Sequence, residues 1–127
     1  MVGKVSELKR ILLAEDEEIL RMLVVDTLEE EDFQVDEATD GQEAVDLFQK
    51  NKYDLLILDY MMPIMTGLEV IEKVRTVNQT IKILMLSAKS QQYEQEKVLA
   101  AGADYFMAKP FSPMQLLEKV EEILDEI

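Results

Sequence analysis

The sequence predicts an α/β fold in which one parallel sheet of five strands is covered by helices on both faces. Short apolar segments alternate with longer segments in which apolar residues recur every three or four positions, and this alternation occurs five times without a break. The central segment, Leu55–Asp59, has four consecutive aliphatic residues, which is typical of a strand buried on both sides. Right-handed crossovers between parallel strands then leave few possible topologies.

The length of 127 residues predicts a single domain over residues 1–127, with its core at about 9–124. Hydrophobic residues make up 48% of the chain and charged residues 31%, as in an ordinary globular protein. No apolar run approaches the roughly 20 residues of a membrane span, and Met1–Arg10 lacks the apolar region of a signal peptide. Because cysteine is absent as well, we expect a cytoplasmic protein without membrane contact.

The elements of the first half follow from these patterns in order. Arg10–Ala14 is predicted as the first strand, followed by a helix from about Glu17 to Glu31. The second strand, Gln34–Ala38, is the most polar and is therefore expected at an edge of the sheet. Asp40-Gly41 is predicted to form a turn before a second helix that ends near Asn51. The apolar faces predicted for the two helices are Leu20, Leu23, Val24 and Leu28 in the first, and Gly41, Ala44, Val45 and Phe48 in the second.

The second half continues the same alternation. The third strand is predicted at Asp54–Asp59, and the helix after it carries Leu68, Val70, Ile71 and Val74 on one face and ends near Thr76. A strand at Ile81–Leu86 is followed by a helix at about Gln91–Ala101, which Gly102 is expected to cap. The last strand is predicted at Asp104–Ala108. The last helix has Ser112 as N-cap, and its apolar face consists of Leu116, Val120, Ile123 and Ile127. Since only Tyr93 anchors Gln91–Lys97, that helix is expected to be the most loosely held. With the polar second strand at an edge, the strand order is expected to be 2-1-3-4-5, the flavodoxin-like (βα)5 doubly wound arrangement.

Polar residues follow the strands at the edge of the sheet where the carboxyl ends meet. The first strand leads into Glu15 and Asp16, the third ends at Asp59, the fourth leads into Ser87, and the fifth leads into Lys109. In this topology the crevice between the first and third strands is the expected ligand site. Three carboxylates in that crevice repel one another unless a cation joins them. Carboxylate oxygens favour a hard cation, Mg²⁺ or Mn²⁺.

A carboxylate beside such a cation can accept a phosphoryl group and form an aspartyl-phosphate. Asp59 is the expected acceptor. Because positioning and neutralisation of charge dominate phosphoryl transfer, Lys109 and the Ser87 hydroxyl are expected to contact phosphoryl oxygens. Each of these residues alone has an ordinary structural role, such as a surface lysine or a serine cap. The functional interpretation therefore depends on their joint placement at matching strand ends.

Composition excludes several classes of function. The net charge of −14 argues against direct binding of nucleic acid by this domain, since that needs a basic face. The chain contains no histidine, which excludes a Ser-His-Asp hydrolase, a histidine-ligated metal site and a phosphohistidine on this chain.

These residues resemble the motifs of the response-regulator receiver domains of two-component signalling. The resemblance covers roughly Lys9 to Leu124 and is specific as a set. Its residues are Glu15-Asp16, Asp59 with Met62-Pro63 and Gly67 downstream, Ser87-Ala88, and Lys109-Pro110-Phe111.

The resemblance implies a phospho-acceptor and not an enzyme, apart from Mg²⁺-dependent self-phosphorylation from small donors and autodephosphorylation. It implies that Asp59 is phosphorylated and that Asp16 binds Mg²⁺ directly. Glu15 would bind the metal directly or through water, and Asp59 and the backbone carbonyl of Met61 would complete the protein ligands. Lys109 would contact the phosphoryl group, with a cis peptide bond to the following proline.

The resemblance also implies a conformational switch. Ser87 would move toward the phosphoryl group and Phe106 would rotate inward, changing the surface of the fourth helix, fifth strand and fifth helix. The implied partners are a sensor histidine kinase or phosphotransfer protein upstream, and a target protein or effector domain downstream. Met61 and Lys89 flank the site where the dephosphorylation rate could be tuned. Three residues depart from the commonest family choices, namely Glu15 for Asp, Ser87 for Thr and Phe106 for Tyr.

Three other classes of function compete with this interpretation. A phosphohydrolase with an Asp nucleophile places a second Asp two residues later, where this chain has Met61. A flavin carrier on the same fold needs a phosphate loop after the first strand, whereas Glu15–Glu18 would repel phosphate. A receiver-like adaptor that works without phosphorylation is the main alternative, and the intact acidic set argues against it.

Overall fold

The computed structural model describes residues 8–88 and 92–126, with the side chains of 92–94 outside that description. The strands are β1 (Arg10–Ala14), β2 (Gln34–Ala38), β3 (Leu55–Asp59), β4 (Lys82–Ser87) and β5 (Tyr105–Ala108). The helices are α1 (Glu18–Glu29), α2 (Gly41–Lys50), α3 (Gly67–Val77), α4 (Gln92–Ala101) and α5 (Pro113–Asp125). The expectations placed on Lys89, Gln91, the Tyr93 side chain and Ile127 lie outside the described residues.

The five strands form one parallel sheet in the order β2-β1-β3-β4-β5, which confirms the predicted flavodoxin-like topology. The polar strand β2 is at an edge, as expected. In the register Ala14 lies beside Leu58, and Asp59 lies beside Leu86. The carboxyl ends of β1, β3 and β4 therefore meet at one edge of the sheet.

Consecutive residues of the central strands point to opposite faces of the sheet and build two cores. Leu56 and Ile83 belong to the core under α2, α3 and α4, whereas Ile57 and Leu84 belong to the core under α1 and α5. These four side chains are fully buried. Burial of one such side chain stabilises the fold by about 1.5–3 kcal/mol. Because both faces of β3 are covered, its sequence is continuously apolar until Asp59.

The predicted apolar faces are confirmed in α2 and α3 and need correction in α1. In α1 the buried residues are Val24, Val25 and Leu28, whereas Leu23 is 45% exposed. At about 100° per residue, Leu23 lies about 140° around the helix from Leu28, outside the face that meets the sheet. In α5 the buried face is wider than predicted, because Leu117 and Leu124 join the predicted residues.

Local hydrogen bonds set the helix starts. Asp40 is the N-cap of α2, accepting from the Glu43 N–H at 2.8 Å, so Asp40-Gly41 begins the helix and is not a separate turn. Ser112 caps α5 as predicted, accepting from the Gln115 N–H at 3.1 Å. Thr66 caps α3 in a capping box with Glu69. Such a cap contributes about 1 kcal/mol to stability.

Strands β3 and β5 begin one residue later than predicted, because the aspartates before them cap neighbouring strands. The Asp54 carboxylate accepts from the Arg10 N–H at 2.8 Å, and the Asp104 carboxylate accepts from the Ile83 N–H at 2.9 Å. Both aspartates therefore extend the ladder at the amino ends of the strands. Among the described helices, none has the length and apolar character that crossing a membrane requires.

Candidate functional site

Asp59 ends the buried strand β3 and is the centre of the candidate site. The residue is only 5% exposed, so its carboxylate has lost most of its water. One of its oxygens, Oδ1, lies 3.2 Å from Nζ of Lys109. A charge at the end of a buried strand is thus paired with the ammonium group that follows β5.

Glu15 lies beside Asp59 at the end of β1 and is fully buried. Its backbone N–H donates to the Ala38 carbonyl at 3.0 Å, which continues the β1–β2 ladder by one residue. The carboxylate accepts at both oxygens, from Lys109 Nζ at 2.9 Å and from the Glu17 N–H at 3.0 Å. Each oxygen of this buried carboxylate therefore has a donor, as a buried charge requires.

Lys109 connects the two buried carboxylates. Its backbone N–H donates to the Ser87 carbonyl at 2.7 Å, and its peptide bond to Pro110 is cis, as predicted. The side chain is 14% exposed and its ammonium group also lies 4.0 Å from a carboxylate oxygen of Glu17. The Lys109 side chain is therefore held over the site and does not extend into solvent.

Burial and the close carboxylates change the pKa values of Asp59 and Lys109. Burial is the main cause that raises the pKa of Asp59 to about 7, and the Glu15 charge adds to it, while Lys109 acts in the opposite direction. Burial alone would lower the pKa of Lys109, but its hydrogen bond to Glu15 and the charge of Asp59 raise it overall. The lysine therefore remains a cation next to a carboxyl group that is poised near neutral pH.

Asp16 is exposed at the mouth of the crevice. Glu15, Asp16 and Asp59 each place a carboxylate oxygen within 4.8 Å of the others. The three carboxylates carry more negative charge than the single lysine can neutralise. Three carboxylate oxygens at this spacing suit a hard divalent cation such as Mg²⁺. The three carboxylates thus fit the predicted metal, and Asp16 is the one most accessible from solvent.

The predicted switch residues, Ser87 and Phe106, lie on the neighbouring strands β4 and β5. Ser87 is buried at the end of β4, where it pairs with Ala108 of β5. Ala88 beside it is exposed. Phe106 is partly buried and packs on the core under α2, α3 and α4. The structure thus brings Ser87 and Lys109 to neighbouring strand ends, and the movements of Ser87 and Phe106 stay predictions.

The loop from Tyr60 to Thr66 connects the end of β3, at Asp59, to α3. Met62 and Met65 are buried, whereas the Met61 side chain is 60% exposed and Ile64 is 77% exposed. The Gly67 N–H donates to the Tyr60 carbonyl at 2.9 Å. A Cβ at Gly67 would lie 2.5 Å from the Asp59 carbonyl oxygen, so only glycine allows this approach. The metal contact of the Met61 carbonyl stays a prediction.

Two contributors to the site were missed by sequence reasoning. The Glu17 N–H binds the Glu15 carboxylate, and the Arg21 guanidinium binds the Glu15 carbonyl oxygen at 2.9 Å. Both contacts involve a backbone atom, which leaves no pattern in side-chain types. The only available signal is a basic residue one turn into the helix that follows an acidic pair.

Chemically, the arrangement offers a nucleophilic carboxylate, a cation beside it and a further acidic ligand open to solvent. A shallow groove lined by Glu17, Leu20, Ala88, Lys109, Pro110 and Phe111 adjoins Lys109 on the outside. Carboxylate attack on phosphorus needs this combination, because the protein mainly has to position charges for phosphoryl transfer.

Comparison with known proteins agrees with this geometry. Residues 11–121 match the family described as "Response regulator receiver domain". The transcriptional regulatory protein SrrA of Staphylococcus aureus is 40% identical over 114 residues, which are 90% of this chain and 47% of SrrA. The chain therefore spans about half the length of the curated relatives it matches.

Solved structures show the same similarity in three dimensions. The chemotaxis response regulator CheY4 of Vibrio cholerae is 32% identical with a TM-score of 0.88, covering 91% of this chain and 98% of CheY4. The response regulator TrrA of Thermotoga maritima, crystallised in complex with Mg²⁺-BeF, is 39% identical with a TM-score of 0.82, covering 91% of this chain and 99% of TrrA.

Proposed function

Since the chain belongs to the response-regulator receiver domain family, we propose that it is a phospho-acceptor in which Asp59 takes a phosphoryl group from a partner. The observation that carries this proposal is the nearly buried Asp59 carboxylate, paired with Lys109 and adjacent to two further acids. The domain's role is signalling, with no substrate turnover beyond self-phosphorylation from small donors and autodephosphorylation.

Asp16 and Asp59 would hold Mg²⁺ or Mn²⁺, with Glu15 directly or through water and with the Met61 carbonyl. The all-oxygen donor set and its spacing support this assignment. When bound, the cation offsets negative charge on the phosphoryl oxygens. Since Lys109 already occupies one oxygen of Glu15, the contact through water is the favoured one for that residue.

The transfer step needs only the Asp59 carboxylate as a covalent group. One carboxylate oxygen attacks the phosphorus of a phosphohistidine and forms an O–P bond. The P–N bond breaks, and its electron pair stays on the imidazole ring of the donor. Lys109 stabilises the negative charge of the transferred group from one side, and the Ser87 hydroxyl donates to it from the other. Because this chain contains no histidine, the donor belongs to a histidine kinase or phosphotransfer protein.

The same site would transmit the signal. Attraction of Ser87 toward the phosphoryl group leaves space that Phe106 can fill from its partly buried position on β5. The consequence would be a changed surface on α4, β5 and α5, where a target protein or an effector domain binds. Because the relatives are about twice as long, an effector domain in the same polypeptide is one form this output takes, with residues 1–127 as the receiver unit.

Intact mass after incubation with acetyl phosphate and Mg²⁺ tests the proposed function. The wild-type chain is expected to gain one phosphoryl group, because the small donor replaces phosphohistidine. Asp59→Asn is expected to gain none, and so is wild type in a chelator. Asp54→Asn is the matched control, since Asp54 caps a strand at the opposite edge, and it should gain one group.

Absence of any gain in wild type, with donor and Mg²⁺ present and the protein folded by circular dichroism, would contradict the proposal. That outcome would favour the adaptor that works without phosphorylation. A gain that persists in Asp59→Asn would instead show that another carboxylate is the acceptor.

A further inference from the structure

Arg21 reaches back from the first turns of α1 to the end of β1. Its side chain is 13% exposed and binds two groups on different elements. Nη1 donates to the Glu15 carbonyl oxygen at 2.9 Å, and Nε donates to the Glu37 carboxylate at 3.2 Å. The guanidinium thus links α1, the end of β1 and the edge strand β2.

The Glu15 carbonyl belongs to the peptide unit that leads into Asp16. The preceding peptide unit is held by the hydrogen bond from the Glu15 N–H to the Ala38 carbonyl at 3.0 Å. Beyond this point the ladder with β2 ends, and Arg21 supplies the donor to the next carbonyl. The orientation of this peptide plane determines the direction in which the Asp16 side chain extends. Arg21 therefore influences the orientation of Asp16, the exposed member of the cluster formed by Glu15, Asp16 and Asp59.

We propose that Arg21 is a positioning residue for the metal site, holding the Glu15–Asp16 peptide so that the Asp16 carboxylate faces Asp59. The proposal rests on the proposed function in one respect, namely that Asp16 and Asp59 are metal ligands. Arg21 touches neither the metal nor the phosphoryl group and acts through the backbone. Groups that orient metal ligands in this way typically change metal affinity by about 10–100-fold when they are removed.

The charge of Arg21 and its positioning role predict opposite changes in Mg²⁺ affinity when Arg21 is replaced, so the proposal can be tested. A guanidinium near an acidic metal site repels a divalent cation, so loss of its charge alone should tighten Mg²⁺ binding. Loss of positioning should weaken it. The ion pair with Glu37 is partly exposed, and such pairs contribute little to stability by themselves. The direction of the change in Mg²⁺ affinity therefore separates the two effects.

The experiment is calorimetric titration of the folded chain with MgCl₂. Arg21→Met is expected to weaken Mg²⁺ binding by about tenfold. Arg21→Lys, which keeps the charge and one donor, should fall between this variant and wild type. Glu37→Gln removes only the ion pair and should change the Kd by no more than about twofold.

Arg75→Met is the matched control. Arg75 has a similar exposure of 17%, donates to the Gly102 carbonyl and pairs with Asp104, but lies at the amino end of β5. Its loss should lower stability and leave the Kd for Mg²⁺ within about twofold of wild type.

Mg²⁺ binding by Arg21→Met that equals or exceeds wild type in affinity would overturn the proposal. At saturating Mg²⁺ this variant should still reach the wild-type extent of phosphorylation from acetyl phosphate, since its acceptor is intact. Failure of the wild-type chain itself to bind Mg²⁺ or take up phosphate would be a failure of the proposed function. Should Arg21→Met not fold, Arg21→Lys carries the test, and wild-type affinity in that variant would overturn the proposal.

Discussion

At Asp59, burial and the neighbouring Glu15 carboxylate oppose ionisation, and Lys109 favours it. The raised pKa of about 7 means that the folded state takes up a proton more readily than the unfolded chain, whose carboxyl has a pKa of 3.8. The stabilisation by protonation is therefore complete below the unfolded value of 3.8 and is lost progressively as the pH rises to about 7. Above about pH 7, the ionised Asp59 carboxylate in its buried site therefore lowers the free energy of unfolding.

Asp59→Asn is therefore expected to raise the free energy of unfolding at pH values above about 7, in the presence of a chelator. At about 1.36 kcal/mol per pKa unit, the gain is at most about 4 kcal/mol. The gain should shrink as the pH falls toward the unfolded value of 3.8, where both states bind the proton. Urea unfolding at two pH values measures it, and a gain that grows on acidification would contradict the assigned cause.

Lys109→Met is expected to be strongly destabilising, because it leaves the fully buried Glu15 carboxylate without its cation. Breaking a buried pair in this way costs about 3–5 kcal/mol. Adding Glu15→Gln to this variant removes the unpaired charge and should recover much of the loss. Urea unfolding of the two single variants and the double variant gives the coupling free energy. Strict additivity would mean that the two residues do not interact.

Residue types predicted much of the site but not its supports. Glu15, Asp16, Asp59 and Lys109 could be placed together because each follows a strand of the same parallel sheet. The supporting contacts of Arg21 could not be predicted, since they go to a backbone oxygen. The same applies to the opposite strand ends, where Asp54 and Asp104 were predicted as first strand residues but accept from backbone N–H groups of neighbouring strands.

At the scale of elements, the loop between β3 and α3 contains a strained residue. Ile64 has a φ of +72°, a left-handed conformation that a β-branched residue rarely adopts, and its side chain is 77% exposed. The neighbouring Met62 and Met65 are buried and hold the loop in place. Met65 thus packs in the core, whereas the Ile64 side chain extends into solvent.

Ile64→Asn should stabilise the fold by about 1 kcal/mol, because asparagine adopts the left-handed region at lower cost and little apolar burial is lost. Ile64→Val is the control and should give no gain, since valine is also β-branched. Thermal unfolding of the three chains measures the effect. A loss of stability in Ile64→Asn would mean that the isoleucine side chain makes a net contribution at this position.

The buried faces of α2 and α3 were predicted correctly, whereas the buried face of α1 was predicted only in part. In α2 and α3 the spacing of three and four residues identifies the buried face directly. Helix α1 carries additional apolar residues on its outer side, such as Ile19 and Leu23, so periodicity alone could not decide which face meets the sheet. Contact with α5 and the sheet decides it in favour of Val24, Val25 and Leu28.

For the whole molecule, the two edges of the sheet have different roles. At the amino ends of the strands, Asp54 and Asp104 accept from backbone N–H groups, and the Arg10 guanidinium pairs with Asp36. At the carboxyl ends, buried acids are held close together at a cost in stability, with Lys109 offsetting part of it. Topology was predictable because alternating strands and helices with right-handed crossovers allow few arrangements. The energetic balance among the charges at the carboxyl ends of the strands was not predictable, because it depends on distances of a few ångströms between side chains.

The central claim is that Asp59, and no other carboxylate of the acidic group, forms the acyl phosphate. The most direct measurement is borohydride reduction after incubation with acetyl phosphate and Mg²⁺, which converts a phosphorylated aspartate to homoserine, followed by peptide sequencing in a mass spectrometer. We predict homoserine at position 59 and unchanged aspartate at position 16. Homoserine at position 16, or none at position 59 in a chain that has gained a phosphoryl group, would contradict this account.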